Sequence, residues 1–251
     1  MNRIHWATLG AIMTALLVEA VSAQAYERRQ CTWGSNRDTK AFFSGKGDFF
    51  SAGVRDRDNP LLPMISAHYA TSIRRPDTAA PINPGCNACG LGEKDDPDVK
   101  YDRWTCRYSP AMATDGDLST AWVEGVDGPG IGEILIADVD PKRLIRIRPG
   151  MATTDRLFKE NNRPKEIRIH TMMSTTRSAT QIGVIMGGFK IIAFSTVTLK
   201  DRNAWQTFTA PWPKNDDFSA AEDATFLVAI EIVSVYRGSQ HDDTGITEIS
   251  N

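Results

Sequence analysis

The sequence predicts an all-β protein, an antiparallel β-sandwich preceded by a loop-rich, disulfide-pinned segment. Three observations predict it. Apolar residues two apart recur in short runs: Ile145 and Ile147, Ile167 and Ile169, and Phe226, Val228, Ile230 and Ile232. Side chains two apart on a strand point to one face, so each run marks a buried face. Turn-forming residues separate the runs, and sustained helical periodicity is missing, as expected of a sandwich or barrel.

At the start of the chain, Arg3, an apolar stretch from Ala7 to Val18 and the small residues Val21-Ser22-Ala23 and Ala23-Gln24-Ala25 predict a signal peptide over residues 1–23, and hence export. That stretch is shorter than the roughly 20 residues a membrane-spanning helix needs, and no later stretch is long enough. Residues 24–100 are rich in Gly, Pro, Asp and Asn. Asp58-Asn59-Pro60 and Ile82-Asn83-Pro84-Gly85 read as turns, and the segment is predicted to pack on the sandwich. Residues 101–251 carry the strands. Ile134 to Val139 is a compact apolar run, Val197 and Leu199 alternate with polar neighbours, and the run from Phe226 is the longest strand. A short turn of helix is predicted near Asp155 to Glu160.

Composition narrows the function. A formal net charge of −2 lacks the basic excess of a nucleic-acid binder. A hydrophobic content of 41% is enough for a packed core. The four cysteines are Cys31, Cys86, Cys89 and Cys106. In an exported chain they predict two disulfides, whose pairing the sequence leaves open. Cys86-Asn87-Ala88-Cys89 lacks the second cysteine pair or nearby histidine pair of a zinc site, and the βαβ context of a redox dithiol.

The stretch Ala113-Thr114-Asp115-Gly116-Asp117-Leu118-Ser119-Thr120-Ala121-Trp122 resembles the hallmark of discoidin, or coagulation-factor type C, domains. The run continuing from Val123 through Gly128-Pro129-Gly130-Ile131-Gly132-Glu133 is similar to the subfamily named for the translocation domain of NAD glycohydrolase. Phe158 to Ile167 resembles its Asn-x-Arg-x-Lys segment, and Asp242 to Ile249 its closing strand. The resemblance covers residues 101–251. It implies a galactose-binding-like jelly roll that recognises glycans or other surface ligands without turning them over. It also implies a structural Ca²⁺ held by Asp115, Asp117, Thr120 and Glu248 with a backbone carbonyl from Ala113. Read without the family, Asp115-Gly116-Asp117 suits two outcomes. Hard oxygen donors on a flexible loop suit calcium. The same carboxylates can accept local N–H groups in an Asx-turn.

Ligand contacts are expected on loops, because the strands commit their apolar faces to the core. The first loop offers Trp122, Glu124 and Asp127, the second Asn162 and Arg163, the third Tyr236 and Asp242. Trp122 also fits a core position with a bonded indole N–H. Gly128 to Gly132 lacks the Lys-Ser/Thr of a phosphate loop and reads as a turn. Two rival classes stand beside glycan binding. Glu124, Asp127 and Glu133 could supply a glycosidase pair, but sequence does not fix their spacing. There is no Gly-x-Ser-x-Gly elbow or His-Glu-x-x-His site, so no catalysis is expected. A protein-docking or envelope module would use the same fold.

Overall fold

The computed structural model describes residues 31–49, 51–53, 69–81, 97–180, 183–214 and 224–251. The expected signal peptide, Cys86 and Cys89 lie outside them.

The chain forms two four-stranded antiparallel sheets packed as a sandwich. The first contains β5 (Ile134–Ala137), β7 (Arg163–Met173), β10 (Lys190–Thr198) and β12 (Phe226–Tyr236), in the order β10-β7-β12-β5. The second contains β4 (Trp122–Val123), β6 (Leu144–Pro149), β11 (Gln206–Thr209) and β13 (Gly245–Ser250), in the order β11-β6-β13-β4. The chain crosses between sheets from β5 to β6 and again from β6 to β7. The alternation seen in sequence fixes the filling between them. Ile145, Ile147, Ile246 and Ile249 from one sheet meet Ile167, Ile169, Val228, Ile230 and Ile232 from the other, all at most 1% exposed. The short helix α3 (Asp155–Glu160) forms where the sequence predicts it. Thr154 caps it by accepting the Leu157 N–H at 3.1 Å.

The described residues before the sandwich include regular elements as well as loops. It holds β1 (Gly34–Ser35), the helix α1 (Arg37–Phe43), β2 (Ser51–Gly53) and β3 (Ser72–Ile73). Asn36 caps α1 by accepting the N–H groups of Asp38 and Thr39. Strand β2 joins the hairpin of β8 (Thr176–Thr180) and β9 (Gly183–Gly187) in a small third sheet. Phe42, Phe49 and Tyr69, with Met186 and Phe189, cover part of the outer face of the first sheet. They bury Ile134, Ile136, Met172, Leu227 and Ala229 there. This explains why Ile134–Ala137 is a continuous apolar run: the strand is buried on both faces.

Gly125 shows how closely the early segment is fitted. A Cβ there would lie 2.1 Å from the Ile73 carbonyl oxygen, so β3 leaves room only for glycine. A disulfide between Cys31 and Cys106 ties the early segment to α2 (Pro97–Thr105) across 75 residues of sequence. Closing a loop of that size is worth about 4.5 kcal/mol in chain entropy.

Candidate functional site

The loops expected to bind ligand are chiefly fastened to one another. Trp122 is fully buried in the sandwich core, and its indole N–H donates to the Ser72 carbonyl at 3.0 Å. Its assignment to the rim is corrected: at the start of β4 its side chain points inward. Glu124 is also fully buried, not exposed on the loop surface where the sequence predicts it. Its carboxylate accepts the N–H groups of Val126 (2.9 Å) and Thr244 (3.1 Å). The Gly128 to Gly132 turn closes over it. Gly130 has φ +63°, and a Cβ there would lie 2.4 Å from the Glu124 Cγ.

Asn162 is buried as well. It donates to the Asp242 carbonyl and accepts the Gly238 N–H at 2.7 Å. Arg163 sends a two-pronged contact to Asp201 at 3.0 and 2.6 Å, and Nη1 donates to the carbonyls of Asn161 and Arg237. These two residues hold the 236–243 loop against the strand entry rather than standing free on the loop surface. Tyr236 donates to the Leu199 carbonyl at 3.0 Å. Only Asp127 and Asp242 of the expected set are exposed, and Asp242 pairs with Arg237 at 2.6 Å.

Glu124 carries a pH signature. Burial pushes its carboxyl from an ordinary 4.5 up to about 7, partly offset by the two N–H groups it accepts. The folded value lies above the unfolded one, so the native state holds the extra proton. The stability it confers is full below about 4.5 and is lost as pH rises through about 7. The melting temperature is expected to be higher at pH 5 than at pH 8, by an amount worth about 1–2 kcal/mol after allowance for solvent screening. Scanning fluorimetry of the parent and Glu124→Gln checks this, because the variant should lose part of the slope.

The Asp115 loop and β13 do meet. The Gly116 N–H donates to the Glu248 carboxylate at 3.2 Å, across 132 residues of sequence. Burial, and then the charges of Asp115 and Asp117, push the Glu248 carboxyl up to about 7. Both aspartates form Asx-turns: Asp115 accepts the Asp117 N–H and Asp117 accepts the Ser119 N–H. Thr120 Oγ1 lies within 2.8–3.1 Å of four acceptor oxygens, from Met112, Asp117 and both arms of Asp115. One hydroxyl proton can serve only one of them, so the cluster is short of positive charge. Among the described residues no group of three or more His, Cys, Asp or Glu is arranged to hold a metal. The oxygens gathered here are the Asp115 and Glu248 carboxylates, the Thr120 hydroxyl and the Met112 and Asp117 carbonyls.

A concavity among the described residues lies elsewhere, on the outer face of the first sheet beside α1. It is a cleft of about 360 Å³ with Arg168, His170 and Glu231 on its floor, and Lys40, Ile131 and Glu133 on its walls. Register creates the floor. Glu231 on β12 sits opposite Arg168 on β7, and His170 sits opposite Phe194 on β10. Glu231 accepts from Arg168 at 3.0 Å and lies 3.1 Å from His170 Nε2. The contact with His170, then the charge of Arg168, hold its carboxyl below the usual range, so it is ionised. Glu133 accepts from Lys40 and from the Thr71 hydroxyl, each at 2.6 Å. His170 Nδ1 is buried and has no partner among the described residues. Phe194, 67% exposed, stands beside His170, and Ile131 is 58% exposed. The sequence signal for this site was the polar residues between core positions: Arg168 between Ile167 and Ile169, and Glu231 between Ile230 and Ile232.

Two four-stranded antiparallel sheets joined in this way, with the Asp115 loop against the last strand, define an F5/8 type C, or discoidin-like, sandwich. Residues 99–251 match the family of the NAD glycohydrolase translocation F5/8 type C domain, and the chain belongs to that family. No curated protein matches it. Among solved structures, it is similar to two cryo-EM classes of a mutant arabinofuranosyltransferase AftD from mycobacteria. The identities are 16% and 17% and the TM-scores 0.34 and 0.31. Each match covers 57% of this chain and 9% of the transferase chain. No helix among the described residues is long and apolar enough to cross a membrane.

Proposed function

We propose that the protein is an exported, non-catalytic glycan-recognition module that binds saccharide in the outer-face cleft of its first sheet. The cleft is the observation that carries this reading. It combines a floor of guanidinium, imidazole and carboxylate groups with apolar side chains at its edge. Sugars offer the same combination, hydroxyls around an apolar ring face, and clefts of this volume suit a small ligand. A glycan array probed with the purified mature protein tests the reading. Binding that is lost in Glu231→Gln supports it. Absence of binding to any glycan, with capture by envelope proteins instead, would favour a docking module.

We further propose that a calcium ion sits between the Asp115 loop and Glu248, held by those two carboxylates with Thr120 and neighbouring carbonyls. Asp117 contributes through its backbone carbonyl while its side chain closes the turn. The ion would supply the positive charge that the Thr120 cluster lacks. Adding calcium to chelator-treated protein is expected to raise the melting temperature by mass action, about 2–3 kcal/mol at saturating metal. Glu248→Gln should abolish that response. A melting temperature indifferent to calcium and to chelator would remove the ion from the proposal.

A further inference from the structure

We infer that the cleft selects a carboxylated saccharide, a uronide, whose acid group is received by Arg168 and Lys40. The inference rests on the cleft being a glycan site and deepens that reading.

The hydrogen-bonding capacity left over in the cleft is nearly all of one kind. Its two carboxylates are already engaged. Glu133 is 6% exposed and holds Lys40 on one oxygen and Thr71 on the other. Glu231 receives Arg168 on both oxygens and meets His170 on one of them. The cations are not used up. Arg168 spends only Nη1 on Glu231, and its Nε and Nη2 have no partner among the described residues. Its side chain is 39% exposed, so it is partly open to solvent. Lys40 bonds Glu133 and Ser35, which leaves the third ammonium hydrogen available. A ligand entering here meets donors that want acceptors. A neutral sugar, whose hydroxyls must also donate, finds few free acceptors.

A carboxylate fits these donors best. The remaining edge of the Arg168 guanidinium presents Nε and Nη2 as a fork that matches two carboxylate oxygens. The apolar neighbours Ile131 and Phe194 argue against a bare inorganic anion, which would have nothing to place against them. A ring with one apolar face and one acid group uses both features. Lys40 comes from α1, outside the family-matched residues 99–251, so the early segment supplies part of the specificity.

Titration calorimetry of the mature protein with a galacturonate oligosaccharide and with the neutral galactose oligosaccharide of equal length tests this. The uronide is expected to bind at least about tenfold more tightly at low salt, an advantage that shrinks at high salt. Arg168→Gln should bring the ratio of the two affinities close to one. Arg168→Lys keeps the charge beside Glu231 but not the fork, and should lose most of the preference, which covers the case of a glutamine variant that does not fold. Equal binding of both saccharides, or a preference unchanged in these variants, overturns the uronide inference and leaves glycan binding standing. Binding of neither saccharide, nor of any other glycan, overturns both.

Discussion

Arg163→Ala is expected to lower the melting temperature by about 8–12 °C, equivalent to roughly 3–4 kcal/mol for a chain of this size. Arg163 is 7% exposed and stands at the start of β7. It fastens three separate segments. Nε and Nη2 bind Asp201, while Nη1 donates to the carbonyls of Asn161 and Arg237. Its guanidinium lies 5.2 Å from the Phe158 ring, so alanine also opens a gap beneath α3. Truncation leaves two carbonyls without this donor and a carboxylate without its counter-charge, and unmatched groups cost more than a made bond gains. Lysine restores the charge but cannot form the fork, so Arg163→Lys should fall between parent and alanine. Calorimetric melting of the three proteins checks the order. An alanine variant that melts within a degree of the parent, yet loses saccharide, would restore Arg163 to the ligand set.

The sandwich was legible because its evidence is local. Ile145 with Ile147, and Val228 with Ile230 and Ile232, report their buried face through spacing alone. Asp155 to Glu160 is a helix behind Thr154, a cap that can be read from adjacent residues. The early segment was less legible for a physical reason. Its helix α1 has seven residues, too few for a periodic pattern, and its aromatics are buried against another sheet rather than within their own. The contact of the Asp115 loop with Glu248 followed from the family resemblance, not from any local pattern.

The cleft left only a faint trace in the sequence, polar residues standing between core positions of β7 and β12. Arg168, His170 and Glu231 each look like ordinary outward residues of a strand. They become one constellation only when β7 and β12 pair in a particular register, and when α1 brings Lys40 over them. A one-residue slip of β7 would turn Arg168 and His170 inward and away from Glu231. The loop residues misled for the opposite reason. Asn162, Arg163 and Glu124 have the chemistry of a sugar site, but buried loops also need amides, guanidinium and carboxylate to satisfy backbone groups. Burial decides between the two uses, and burial is a property of the assembled fold.

Trp122→Ala is expected to be the most destabilising single change in the sandwich, by about 4–5 kcal/mol in urea unfolding. The indole is fully buried among the residues that fill the space between the sheets. Removing it deletes the largest side chain of that filling and leaves a void that rigid strands cannot close, so a cavity cost is added to the lost transfer energy. The N–H adds a second component. It donates to the Ser72 carbonyl at 3.0 Å and so joins β4 to β3 of the early segment. Trp122→Phe separates the two effects. Phenylalanine keeps much of the volume but not the donor, and should cost about 1–3 kcal/mol. The early segment should then loosen first, because the lost bond is one of its ties to the core. Hydrogen exchange is expected to quicken around Ser72 in the phenylalanine variant while the centres of β7 and β12 stay protected. An alanine variant within about 1 kcal/mol of the parent would mean that Trp122 does not anchor the core. A simultaneous loss of saccharide binding in that variant would then return the residue to the binding surface.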